Sequence, residues 1–292
     1  MSSGLIGALF AFATAISSSA ASLQISHLKS VSPAFLTFLK FCLGFVCALL
    51  LLAVGYFGDW NVTSFLFFGL VVLALPLEYL IAYFQTKAYQ VSPQSLVGPL
   101  WGTSAIFALP FAALVLGEIP SLWGLIGVFL VIIGTFVLGW RAGLGNVFDS
   151  LRHVFKEKGA YYMLAAALCG ALATIIAKYA FTYASPALYL LFISGLTAII
   201  GIRAGLKQAS IASAKGKGVR ITFLTLTQGV LLITHFIGLS LLPAAYFLSI
   251  KRSSVVFDVV AGKIFSKDEN FGPRLLGALF IFAGILLTLL RG

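Results

Sequence analysis

Lys251 and Arg252 stand side by side in the apolar run FLSIKRSSVVFDVV, with Asp258 a few residues on. An arginine fork matches the oxygens of a carboxylate or phosphate, and a lysine adds a mobile point charge, so the pair suits the holding of an anion. A charge at mid-membrane costs on the order of 2.5–3.5 kcal/mol on insertion scales, which drives it towards a cavity or a partner. Lys251, Ser254 and Asp258 fall at i, i+3 and i+7 on one helical face, so pairing with Asp258, or with Glu78 from another run, is the structural alternative. Glu78 is itself set deep in an apolar run, with Gln85 and Tyr89 on its face and Tyr79 and Tyr83 nearby. In a later run Thr225, Gln228 and His235 share one stripe. An intramembrane Glu or His can carry a coupling proton; the other reading makes Glu78 and Asp258 charge-balancing groups and His235 a donor to a backbone carbonyl.

No H-E-x-x-H, G-x-S-x-G, P-loop or carboxylate cluster accompanies these residues, so nothing here points to an enzyme, a metal site or a cofactor. Cys42, Cys47 and Cys169 lie inside apolar runs without a C-x-x-C pair and read as small hydrophobes. The N-x-T match at Asn61 is one short motif in a tight loop, and SSSAAS after the first apolar stretch is not read as a cleavage site.

The elements that position these groups follow from composition. The 292 residues are 61% hydrophobic and 9% charged, with a mean hydropathy of +1.08, far from a soluble domain. About 20 apolar residues cross a bilayer as a helix, and ten such runs lie near 4–24, 33–55, 64–85, 95–116, 121–140, 160–181, 186–203, 221–241, 244–265 and 274–290. The runs are continuous rather than alternating, which fits helices and not a barrel. The expected fold is an all-α membrane protein.

The net charge of +11 would suggest nucleic acid on a soluble chain. Here placement explains it. Of the 19 Lys and Arg, all but Lys40, Lys178, Lys251, Arg252 and Arg291 fall on the loops after runs one, three, five, seven and nine. The positive-inside rule puts those loops in the cytoplasm and both termini outside, with no nucleic acid as partner. Of the remaining charges, Lys178 reads as snorkelling to the interface and Lys40 as snorkelling or helix packing. Ser17, Ser18 and Ser19 mark either a cavity wall or close packing by small residues, and packing is the preferred reading.

Sliding the sequence by 150 residues lays the fourth and fifth runs over the ninth and tenth without a gap: Pro93 meets Pro243, Ser104 meets Ser254, Gly127 meets Gly277 and Gly134 meets Gly284. Five runs separate the matching pairs, and five is odd, so the halves are inverted. The expected organisation is a five-helix repeat over 1–140, a basic connector over 141–159 and an inverted five-helix repeat over 160–292. Inverted repeats of this kind belong to secondary transporters, with the substrate between the halves.

The second run, SPAFLTFLKFCLGF, and the paired stretches GEIPSLWGLIGVFLVIIGTFVLG and KDENFGPRLLGALFIFAGILL resemble the EamA-like branch of the drug/metabolite transporter superfamily. The resemblance implies ten helices, transport rather than catalysis, and termini in the cytoplasm, opposite to what the loop charges argue. The adjacent Lys251 and Arg252 resemble the basic pair with which the phosphate-exchanging branch holds its anion. The offset sets Lys251 on Trp101 and Arg252 on Gly102, which makes Trp101, with Tyr79 or Tyr83, the expected grip on the less polar end of the substrate. Gln228, set on Glu78 by the same offset, and Ser254 complete the candidate binding set.

The expected function is secondary transport of a small polar metabolite bearing a phosphate or carboxylate, by alternating access, with a proton or exchange partner as the coupling species and a bacterial inner membrane as the default location. The alternatives are an exporter of amino acids or amphipathic metabolites and, outside transport, a lipid scramblase or an intramembrane lipid enzyme. Because a bidentate contact is lost, removal of Arg252 is expected to cost more binding than removal of Lys251.

Overall fold

The computed structural model describes residues 3–55, 60–92, 97–139, 157–254, 256–257 and 271–291. Asp258 and most of the 141–159 connector lie outside the described residues. Within them the chain is helical throughout, apart from one isolated antiparallel bridge between Val62 and Ala184.

Helix α1 covers Ser3–His27, α2 Pro33–Val54 and α3 Leu66–Val91. A 3₁₀ turn, Gly98–Thr103, leads into α4, Ser104–Phe111, which ends in a π-helical turn, Ala112–Leu116. Next come α5, Leu122–Gly139, and α6, Lys158–Ala180. The rest are α7, Pro186–Gly205, the short α8, Gln208–Ala214, α9, Gly218–Leu241, α10, Ala244–Lys251, and α11, Phe271–Arg291.

Local chemistry sets these limits. Proline opens α2 and α7, where its missing N–H costs nothing. Ser185 caps α7 by accepting from Leu188 N at 3.3 Å. Gly117 stops the π turn in the left-handed region, at φ 66°.

Among the described residues six helices are long and apolar enough alone to cross a membrane: α1, α2, α3, α6, α7 and α9. The run expected at 95–116 is instead a composite of 3₁₀, α and π turns with Pro110 inside its α segment. The run expected at 244–265 is α-helical over Ala244–Lys251 and is interrupted at Arg252–Ser253 before helix resumes at Ser254. There Arg252 N bonds to Ser249 O at 3.0 Å and Ser253 N to Ile250 O at 3.0 Å, the i→i+3 pattern of a 3₁₀ turn. The expected all-α class is met, with six candidate spanning helices among the described residues rather than ten.

The outer faces are greasy, and the apolar interior encloses a few buried polar and charged groups. Leu50, Val54, Leu73 and Ile199 are exposed, whereas Lys251 at 7% and Arg252 at 1% exposure are buried. A bilayer solvates the former, and only protein can satisfy the latter. The most extensive helix pairings are α5 with α11, α3 with α6, α1 with α9 and α2 with α7, and α4 packs on α10. Small residues allow the close approaches: α6 buries Ala160, Ala167, Gly170, Ala171, Ala173 and Ala177.

Candidate functional site

A cavity of about 70 Å³ lies where α1, α2, α3, α4, α6, α9 and α10 meet. Its charged and titratable lining comes from different helices: Lys40 on α2, Glu78 on α3, His235 on α9 and Lys251 at the end of α10. Polar neighbours are Ser18 and Ser22 of α1, Gln85 of α3, Ser104 of α4, Thr174 of α6 and Gln228 of α9, and Tyr89 and Trp101 supply aromatic surface.

Lys251 Nζ lies 3.2 Å from His235 Nδ1. A lysine ammonium can only donate, so Nδ1 accepts and the imidazole proton sits on Nε2. The His235 ring is held edge-on between Phe236 and Phe247, with centroids 5.1 and 4.9 Å away. Glu78 is exposed to the field of both Lys40 and Lys251, yet neither reaches ion-pair distance. Among the described residues the ion pair is Glu118 with Lys178, at 2.5 Å.

Arg252 is not part of the cavity wall. One residue beyond Lys251, it points behind Trp101, with Cζ 5.1 Å from the ring centroid, and donates from a terminal nitrogen to Ser104 Oγ at 2.5 Å. Trp101 is pinned from its other side by α6: a Cβ on Gly170 would lie 2.8 Å from the indole Cη2. Glycine at 170 is thus what lets the end of the indole come this close to the helix. Arg252 and Gly170 clamp Trp101, and Trp101 faces the cavity.

The expected residues therefore divide. Lys251, Trp101, Glu78, Gln228 and His235 come together on one cavity. Arg252 supports that wall from behind. Tyr79 and Tyr83 stack on each other, centroids 6.3 Å apart and 10° between planes, away from the lining; Tyr79 packs against Gly201 of α7. Ser254 is buried just past the 3₁₀ turn and does not line the cavity. Asp258 falls outside the described residues.

Sequence reading missed Lys40, Ser104 and Ser22 as lining residues, and Ser18 takes the cavity-wall alternative rather than the preferred one of close packing. A signal for Ser104 existed in the repeat, which sets it on Ser254. For Lys40 the signal was its depth within an apolar helix, which snorkelling seemed to explain. Lys178 does not snorkel either: besides Glu118, it donates to Leu242 O.

Contacts between the two halves of the chain tie both ends of the bundle. At one end Glu118 joins Lys178 and accepts from Ala244 N at 2.8 Å, the first residue of α10. At the other, Ser92 Oγ donates to Glu157 at 2.8 Å and Ser213 Oγ accepts from Ser32 N at 3.0 Å. The cavity lies between these ties.

A model of the EamA-like transporter family matches residues 5–140. EamA-like proteins are membrane transporters of small molecules rather than enzymes, and with its apolar helices the chain is an integral, multi-pass membrane protein. No curated protein matches it. One protein of known crystal structure superposes with a TM-score of 0.70 at 17% identity, over 96% of this chain and 95% of its own. That likeness concerns the fold alone and extends it across both halves.

Proposed function

We propose that the protein is a secondary carrier for a small polar metabolite bearing a phosphate or carboxylate, moved by alternating access around the central cavity. The observation that carries this reading is the lining charge: Lys40 and Lys251 from separate helices against, among the described residues, the single carboxylate of Glu78. A buried site with cationic excess is expensive to keep empty and gains most from an entering anion. Trp101, placed between Arg252 and Gly170, offers aromatic surface for an apolar or ring portion of the substrate.

The proposed mechanism needs two inverted five-helix halves, and the packing supports them. Exchanging the halves turns the α1–α9 pairing into α6–α3 and leaves α2–α7, α4–α10 and α5–α11 unchanged. The two composite or interrupted helices, at Gly98–Thr103 and at Arg252–Ser253, fall at corresponding repeat positions. Broken helices at matched positions are the usual setting of a midplane substrate site.

Glu78 facing Lys251 across the cavity favours a second reading, an amino acid held by its ammonium and carboxylate groups. Purified protein in liposomes separates the two. Counterflow of labelled organophosphates or simple carboxylates, without counterflow of labelled amino acids, is the expected result. Amino-acid exchange alone moves the conclusion to the second reading, and lipid scrambling with no solute exchange refutes transport of either.

A further inference from the structure

Between α7 and α9 the chain makes a detour through α8. One side of that short helix is committed to the bundle. Ser210 Oγ donates to Ala204 O at 3.0 Å and forms a hydroxyl–hydroxyl hydrogen bond with Ser32 Oγ at 3.2 Å. Ser213 Oγ receives Ser32 N, and Lys217 donates to Ser30 Oγ and to Ser213 O. Serines at 210 and 213 are one turn apart, so they pin a single face of α8 to the connection between α1 and α2.

The other side is uncovered and has an unusual composition. Ile211 on α8, Leu206 before it and Val219 after it are 45%, 47% and 87% exposed. Arg203, Lys207, Lys215 and Arg220 are exposed beside them. From Ile202 to Ile221 the chain has no Asp or Glu, and among the described residues none of these cations forms an ion pair. Apolar side chains interleaved with long cationic ones on a short surface helix are the composition of an element lying in the membrane interface: the apolar groups enter the acyl boundary and the aliphatic stems of Lys and Arg reach back to the phosphates. Water alone satisfies the cations but not Ile211 and Val219; a hydrocarbon surface does the reverse. An anionic headgroup layer satisfies both.

We propose that α8 and its flanks form a docking surface for anionic phospholipid headgroups, with Arg203, Lys207, Lys215 and Arg220 on the phosphates and Leu206, Ile211 and Val219 in the interface. The proposal does not depend on the substrate. The serine contacts make the surface consequential: a lipid held there bears on Ser32 and so on the start of α2, the helix that carries Lys40.

The test uses the full chain in nanodiscs of phosphatidylcholine alone or mixed with phosphatidylglycerol. Two readouts are taken: thermal unfolding, and quenching of an Ile211→Trp variant by brominated lipid, after subtraction of the protein without that substitution. The expected result is a higher unfolding temperature with phosphatidylglycerol, and stronger quenching by brominated phosphatidylglycerol than by brominated phosphatidylcholine. Replacing Lys207, Lys215 and Arg220 by Gln should remove the difference between the lipids and leave behaviour in phosphatidylcholine unchanged, at roughly fivefold in lipid affinity per cation. If the triple variant does not fold, Lys215→Gln alone and a salt series replace it, since screening should shrink the phosphatidylglycerol effect. Equal stabilisation and quenching by the two lipids overturns the proposal. So does a phosphatidylglycerol effect that survives both the substitutions and salt, or capture of an acidic soluble protein by this face without lipid dependence.

Discussion

Successive residues on a helix point about 100° apart, and the 3₁₀ turn after Lys251 widens that separation. The two members of the basic pair therefore do different work. Lys251 reaches the cavity; Arg252 braces Trp101 and Ser104. The geometry gives the reverse of the order expected from bidentate recognition. Lys251→Met should abolish substrate binding while the protein keeps its unfolding temperature, because an unpaired buried charge is removed. Arg252→Ala should weaken binding by tenfold or so and also destabilise the fold, by roughly 2 kcal/mol for the lost charged hydrogen bond and the stacked cation. Substrate titration and thermal unfolding of both variants check this; equal stability loss in the two would remove the distinction. Glu78 gives a second residue-level prediction. If it carries the coupling proton, Glu78→Gln should lose accumulation driven by a pH gradient and keep solute exchange, measured in the same liposomes. Unchanged pH-driven accumulation returns Glu78 to charge balance.

At the scale of elements, α5 and α11 pack about a local two-fold axis that single glycines reveal. A Cβ on Gly134 would meet Gly277 O at 2.6 Å, and one on Gly284 would meet Gly127 O at 2.5 Å. Each contact is the other's image under the offset of the repeat. Backbone atoms cannot yield as side-chain ends do, so Gly134→Ala and Gly284→Ala should each destabilise by about 1–3 kcal/mol, and by similar amounts. Gly69→Ala on α3, with nothing within 4 Å of its Cβ, should be neutral or stabilising, since alanine favours a helix. Thermal unfolding in detergent compares the three. A second element, α10, runs from the Glu118–Lys178 tie at its first residue to Lys251 at its last. A rigid rod of eight residues thus links one closed end of the bundle to the cavity. Lys178→Met should open that end: a cysteine replacing Ala245, 2% exposed, is expected to react with a polar maleimide about tenfold faster than in the parent lacking Cys42, Cys47 and Cys169. A bias of about 1.4 kcal/mol between states suffices for that. An unchanged rate would make the tie a fixed brace.

At the scale of the whole molecule, the loop charges predict both termini outside, against the orientation usual for the family resemblance drawn from the sequence. Cysteines placed within 207–217 should be protected from a membrane-impermeant reagent in intact cells and labelled after permeabilisation. Labelling from outside reverses the assignment and puts the α8 surface on the other leaflet. Membrane residence, the helical class and the 150-residue offset were legible in the chain because they are properties of runs and registers, which need no contact to be read. The depth of Lys251, Glu78 and His235 was legible for the same reason. Which of the buried polar groups share a cavity was not. Lys40, Ser18 and Ser22 face it only because α1 and α2 dock with those sides inward, and Arg252 misses it because the helix changes pitch at that residue. Lys178 found Glu118, sixty residues away in sequence, through the packing of α6 beside the turn after α4. Hydrophobic pattern sets which residues leave water; only the rotation and pairing of helices sets which of them meet.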